Sequence, residues 1–188
     1  FYRCRRLVKV ETHDGIRKVE LGAFWGCLTL PRINLASVTE ICEVAFYRCE
    51  NLESVEFGDK LETIGKYAFV GCPLKHLKLP SVVTVKRSAF TECIRLTEVE
   101  FSDRLEAIEQ RAFFVCYGLQ RIAIPLKRGL FAIDFGGRLK FDHFYRCKQL
   151  MTVDLVGGIH KTVASLHFDS WRTHMIEEIN YINQVLPN

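Results

Sequence analysis

The chain has 188 residues, 48% of them apolar and 26% charged, a composition that supports one globular domain with an ordinary hydrophobic core. Its formal net charge of +4 is too small and too evenly spread for a nucleic-acid-binding surface, so no nucleic-acid partner is expected. No run of about 18 apolar residues is present to cross a bilayer, so no membrane span is expected either.

Taken in order, the chain repeats itself. Residues 1–22 open with FYRCRRLVKVE and continue into an irregular stretch, THDGIRKVELG, whose Asp14 and Gly15 read as a turn. Residues 23–44, AFWGCLTLPRINL and ASVTEICEV, give a full unit. Its Pro31 stands just before the strand residues Ile33 and Leu35, where a missing amide donor is tolerable. Further units start at 45, 68, 89 and 112. AFYRCENLESVEF (45–57) and AFTECIRLTEVEF (89–101) match in frame, as do their continuations GDKLETIGKYAF and SDRLEAIEQRAF. The unit at 68, AFVGCPLKHLKL, is one residue short after its cysteine, and this deletion is expected to be absorbed in a turn at Pro73, outside the strand. After Pro125 an insertion at 126–143 delays the rhythm until FYRC (144–147) restores it. Phe1 falls inside a repeat, so the first coil is expected to be truncated and any targeting signal to lie before it.

The common unit is AFxxCxxLxxΦxΦ, a short turn, then ΦxxΦxxxAF, where Φ is apolar. Leu52, Val55 and Phe57 read as a strand with alternating faces at its end. Cys4, Cys27, Cys49, Cys72, Cys93, Cys116 and Cys147 mark the period, at steps of 23, 22, 23, 21, 23 and 31 residues. A fixed period in this range signals a solenoid, in which one unit cannot bury its apolar face and its neighbours supply the core. Beyond residue 163 the period changes. Phe168, Trp171, Met175, Ile179, Ile182 and Leu186 form one stripe of an α-helix, with Ser165 placed to cap it and Pro187 to stop it. An open solenoid end exposes apolar side chains and strand edges, so residues 164–188 are expected to cap a solenoid of residues 1–163.

This pattern resembles the BspA-type leucine-rich repeat over roughly residues 1–163. The resemblance implies an α/β repeat: a right-handed leucine-rich-repeat solenoid of about seven coils with short parallel β-strands, and a second run of extended structure from the ΦxxΦxxxAF half. The C-terminal helix would close it. The resemblance also implies binding or scaffolding rather than catalysis, and hence no cofactor. The family includes bacterial surface adhesion proteins and many proteins of microbial eukaryotes, the source expected here.

The repeated cysteines would stand about 4.8 Å apart in adjacent coils, whereas a disulfide needs Cβ atoms at about 3.8 Å with a specific torsion. A ladder of small buried thiols follows, which favours a reducing, intracellular compartment. Cys42 lies outside the ladder, at a position filled by Gly65, Lys86 and Glu109 elsewhere, and is the candidate reactive thiol.

Leucine-rich repeats often bind through columns of side chains on the strand face. Here one column runs Glu11, Asn34, Glu56, Lys78, Glu100, Ala123, Asp154, and another Lys9, Arg32, Ser54, His76, Glu98, Arg121, Thr152. Arg32, Glu56, His76, Lys78, Glu98, Glu100 and Arg121 are the candidate partner-binding residues there. The alternation of charge also has an ordinary explanation, cross-strand pairing. In the insertion, Phe131 and Phe135 with Lys127 and Arg128 are candidates for a binding loop; the plainer reading packs those aromatics on the core. A further column, Tyr2, Trp25, Tyr47, Val70, Thr91, Phe114 and Tyr145, is expected to lean ring on ring across coils. His160, His167 and His174 are too far apart along a helix to share a metal. No phosphate loop, CxxC pair or serine elbow is present. The leading functional expectation is a non-catalytic protein–protein interaction module or scaffold, a structural subunit of a larger assembly, binding through the strand face, the 126–143 insertion or the C-terminal helix, with the oligomeric state open. An extracellular adhesion or receptor ectodomain and a thiol-based redox sensor acting through Cys42 are the alternatives.

Overall fold

A computed structural model describes residues 1–125, 127, 129–131 and 143–156. These residues form a parallel-strand solenoid of about 5 turns, with two strands in each full turn. The longer strands are β2 (Arg32–Leu35), β4 (Ser54–Phe57), β6 (His76–Leu79), β8 (Glu98–Phe101), β10 (Arg121–Pro125) and β11 (Thr152–Val156). The two-residue strands are β1 (Lys18–Val19), β3 (Glu40–Ile41), β5 (Thr63–Ile64), β7 (Thr84–Val85) and β9 (Ala107–Ile108). No helix occurs among the described residues, and the expected cap at 164–188 lies outside them.

The alternation read from the sequence sets the long strands' faces. Within β2 and β6 the residues run exposed, buried, exposed, buried, as side chains that alternate across a strand must. The short strands pair in one continuous sheet, β1-β3-β5-β7-β9. The stretch before residue 23, read as irregular, supplies β1: Ile16, Val19 and Phe24 occupy the ΦxxΦxxxAF positions, and Lys18 and Val19 pair with Glu40 and Ile41.

On the other side the sheet is interrupted. β2 pairs with β4, and β6-β8-β10-β11 form a separate ladder. β6 keeps the four-residue length and alternation of β2, so the deletion at Pro73 is absorbed outside the strand as expected. Leu74 and Leu77 stay buried, but the shortened turn leaves β6 unpaired with β4. Glu53 spans the break, its carboxylate 2.6 Å from Lys75 and 2.8 Å from Arg95. The Lys75 hydrogen bond and charge, and then Arg95, hold that carboxyl below its ordinary value.

A third ladder joins the turns. Val44, Phe46 and Arg48 donate their N–H groups to Lys66, Ala68 and Val70, and the same step recurs from Gly22, Phe24 and Gly26 to Glu43, Ala45 and Tyr47. The chain makes these bonds by entering the left-handed region twice in each full repeat, at Val44 and Arg48, Tyr67 and Gly71, Ser88 and Glu92, Arg111 and Val115. A residue with a Cβ pays about 1–2 kcal/mol for that conformation. The buried alanines Ala45, Ala68, Ala89 and Ala112 let neighbouring turns approach closely enough to bond.

Two side-chain columns fill the core beside this ladder. Phe1, Phe24, Phe46, Phe69, Phe90, Phe113 and Phe144 stack with centroids 5.0–5.6 Å apart and rings near parallel, within the range of offset aromatic stacks. Each phenylalanine carbonyl has two lone pairs. One accepts the N–H of its own repeat's cysteine, the other the thiol of the next: Cys49 Sγ reaches Phe24 O at 3.0 Å, Cys72 reaches Phe46 O at 3.1 Å, and Cys93 reaches Phe69 O at 3.2 Å. Serine would reach less far and alanine would leave the carbonyl half-satisfied, so the bond accounts for cysteine here.

All eight cysteines are free. Burial pushes the Cys27 thiol up to about 11 and the Cys72, Cys93 and Cys116 thiols upward as well. These folded-state values exceed the unfolded value of about 8.5. Cys49, lowered by its hydrogen bond with Cys72, runs the other way; the contribution of the four raised thiols is fully present below about pH 8.5 and is lost as pH rises through their folded-state values. The urea unfolding midpoint is expected to fall steadily between pH 8 and 11 in wild type. Iodoacetamide mass mapping of the folded chain is expected to label Cys4, to label Cys42 slowly, and to spare the six buried thiols. Rapid labelling of Cys72 or Cys93 under native conditions would show the ladder to be open.

Candidate functional site

The strand face brings together the columns expected from the sequence. The register pairs Arg32 with Ser54, Asn34 with Glu56, His76 with Glu98, Lys78 with Glu100, Glu98 with Arg121, and Ala123 with Asp154. The break between β4 and β6 divides this face, so Arg32 and Glu56 lie on one panel and His76, Lys78, Glu98, Glu100 and Arg121 on the other.

Arg121 is the hub of the second panel. Its Nη1 is paired with Glu98 and lies 2.9 Å from Glu100, and its Nη2 is paired with Asp154. Hydrogen bonds to Glu100, then Glu98, then Asp154 raise the guanidinium above its ordinary value. His76 Nδ1 sits 3.2 Å from Thr97 Oγ1 and 3.9 Å from Glu98. Lys78 Nζ is 3.9 Å from Glu100, with its side chain largely exposed. Three carboxylates thus surround one arginine, and the panel is acidic with an internal counter-ion. On the first panel Asn34 donates to Glu56 at 2.9 Å.

The insertion behaves differently from a free loop at its start. Ile108 N donates to Leu130 O at 2.6 Å, and Phe131 makes a parallel bridge with Ile108. Leu130 and Phe131 therefore take the place of a short strand beside β9. Phe131 is only 7% exposed, with its ring against His143 and Phe144. Proposed as a partner-binding side chain, Phe131 instead packs into the core, because stacking on β9 draws it inward. Lys127 pairs with Glu106 at 2.5 Å. Arg128 and Phe135 lie outside the described residues.

Cys42, the candidate reactive thiol, is half-buried, and the exposed thiol is Cys4. Burial first, and then Glu40, push the Cys42 thiol up. Its sulfur lies 3.7 Å from Glu40 and 3.9 Å from Glu20. A raised thiol holds less thiolate, the nucleophilic form, so this environment does not favour the redox reading.

An open groove of about 430 Å³ lies between Glu11, Thr12, His13, Asp14, Asn34 and Ser37. Its polar groups are largely committed to the fold: Thr12 donates to Asn34 O at 2.8 Å and Ser37 to Ile16 O at 2.8 Å. Among the described residues no group of His, Cys, Asp and Glu side chains is placed to share a metal ion, and no helix is long and apolar enough to cross a membrane.

The turn edge carries features that the strand-face reading left aside. Tyr2, Trp25 and Tyr47 lean on one another at 5.8 and 4.7 Å, and Phe114 stacks on Tyr145 at 5.1 Å, as the aromatic column suggested. The arginines do more than flank them. Arg3, Arg48, Arg111 and Arg146 lie over Tyr2, Tyr47, Phe114 and Tyr145 at 5.3–5.9 Å. The repetition of FYRC was the sequence signal for this edge.

Parallel short strands on two sides, in-register side-chain columns and a core of stacked repeats define a leucine-rich-repeat solenoid. The chain belongs to the BspA-type leucine-rich repeat family, whose repeat region matches residues 1–87 and 64–185 in six copies. It is similar to a leucine-rich repeat protein from Bacteroides ovatus, at 25% identity and a TM-score of 0.66, over 82% of this chain and 38% of that one. The leucine-rich repeat protein of T. pallidum is 27% identical with a TM-score of 0.64, over 78% of this chain and 67% of its own. The pneumococcal vaccine antigen PcpA is 25% identical with a TM-score of 0.56, over 76% and 36% respectively. The chain thus spans well under half the length of the first of these relatives. No curated protein matches the chain.

Proposed function

We propose that this chain is a non-catalytic protein–protein interaction module, a structural subunit of a larger assembly, that holds a protein partner on its long-strand face. The observation that carries this reading is the panel β6-β8-β10-β11, where His76, Lys78, Glu98, Glu100 and Arg121 stand in register on paired strands. Glu98, Glu100 and Arg121, held on paired strands by their mutual ion pairs, favour recognition, because little of their side-chain freedom is left to lose on binding. The module is read as a right-handed solenoid of residues 1–163 closed by a helix at 164–188. The eight free thiols, six of them buried, favour a reducing compartment.

The test uses the intact chain and a charge-reversed panel, Lys78→Glu with Arg121→Glu, both checked for native circular dichroism. Co-migration of wild type with a partner on size exclusion, lost in the variant, is the expected result. Turnover of a small substrate by the purified chain, or a partner retained by the variant, would overturn the strand-face reading.

A second reading, an extracellular ectodomain, draws on the likeness to the pneumococcal vaccine antigen. Immunolabelling of intact against permeabilised cells separates the two: label only after permeabilisation supports the intracellular module.

A further inference from the structure

Phe-Tyr-Arg-Cys occurs three times, at 1–4, 46–49 and 144–147. In each copy the arginine holds a left-handed backbone, with φ of 56°, 57° and 63°, although glycine fills the same position at 26 and 71. Glu92 and Val115 share this backbone at the equivalent position, so the conformation belongs to the repeat and the arginine with its tyrosine neighbour is what sets these three copies apart. In each copy the guanidinium also lies over its own tyrosine ring. A stacked guanidinium is held in place while its fork of N–H donors remains open to a planar anion.

One copy shows what such an arginine takes. Arg48 crosses Gly71, where an added Cβ would come within 3.0 Å of it, and binds the Glu92 carboxylate at 2.9 Å. Arg146 has the same backbone and the same tyrosine backing. Its guanidinium lies 5.5 Å from the centre of the Tyr145 ring, and no described carboxylate pairs with it. Lys148, one residue past Cys147, likewise makes no ion pair among the described residues. Around them Tyr145 is 50%, Ile94 54% and Tyr117 38% exposed. Tyrosine and arginine are the side chains most enriched at binding hot spots.

We propose that the edge formed by residues 91–95, 114–118 and 144–148 docks an acidic segment of a partner protein. A carboxylate sits in the Arg146 fork, as Glu92 sits against Arg48; Lys148 steers it, and a neighbouring apolar side chain lies against Tyr117 and Ile94. The inference rests on the interaction-module reading for the existence of a protein partner, and adds a surface and a partner chemistry.

The test is fluorescence anisotropy of the full chain with a short labelled peptide of alternating Asp and Glu around one Phe, and with its Asn/Gln counterpart. The acidic peptide is expected to bind and the amide peptide not. Arg146→Glu with Lys148→Glu should weaken binding by about tenfold or more, Arg146→Lys should weaken it less, and the Lys78→Glu, Arg121→Glu panel variant, which lowers the net charge equally, should weaken it far less than the edge variant does. Absence of binding to the acidic peptide, or equal binding by the Arg146→Glu, Lys148→Glu variant and wild type, overturns the proposal. So does equal binding of both peptides. If the edge variant keeps a natural partner that the panel variant loses, the edge falls and the strand-face reading stands.

Discussion

Phe90→Ala is expected to lower the unfolding free energy by about 3–5 kcal/mol, measured as a shift in the urea midpoint at constant slope. Phe90 is fully buried and stacks on Phe69 at 5.4 Å and on Phe113 at 5.3 Å. Removing its ring takes a large apolar surface out of the core and leaves a void whose walls are two other rings. The neighbouring turns cannot collapse into that void. Their separation is fixed by the bonds from Phe69 N to Ala89 O and from Phe90 N to Ala112 O, and a site that cannot relax pays the full cavity cost. Phe1→Ala is the comparison: that ring is largely exposed and, among the described residues, stacks on Phe24 alone, so its loss should cost under about 1 kcal/mol. Equal losses at the two positions would mean that the stack does not carry the core.

Gly58→Ala should cost about 3 kcal/mol or more, beyond the usual range for adding one methyl group to a packed site. An added Cβ would come 2.0 Å from the carbonyl oxygen of Ala36 and 2.8 Å from its carbon. Both are backbone atoms in the neighbouring turn, so no side chain can swing away and the two turns must separate. Gly26→Ala isolates the other penalty that glycine avoids. Its φ is 65°, but its Cβ would meet only the Arg3 side chain at 3.6 Å, an ordinary contact. It should cost about 1–2 kcal/mol through backbone strain alone. Thermal unfolding of the two variants side by side separates the effects, and a milder loss at Gly58 than at Gly26 would contradict the inter-turn contact.

The period of the cysteines made the solenoid legible, because every repeat must place the same atoms against its neighbour. The strand-face columns were legible for the same reason: once Val55, Leu77 and Val99 are set in the core, Glu56, Lys78 and Glu100 must face outward in line. The break between β4 and β6 was not. A missing residue at Pro73 announces a shorter turn, but whether the strand stays in hydrogen-bond register depends on where Leu74 must sit in three dimensions. The role of the cysteines was half legible. Their burial followed from periodicity, whereas the thiol bond to the preceding repeat's phenylalanine carbonyl depends on the offset between turns. Of the two readings open for Phe131, a binding loop or a ring packed on the core, the sequence could not decide, because nothing in its flanks shows that residues 130–131 rejoin the short-strand sheet.

The interaction-module account is tested most directly by cross-linking mass spectrometry of the native protein in its own cell extract after size-exclusion fractionation. It predicts migration in a complex well above the 21.7 kDa of the chain, with cross-links from Lys78, Lys127 or Lys148 to another polypeptide. Migration as a lone chain, with cross-links only within itself, would contradict it.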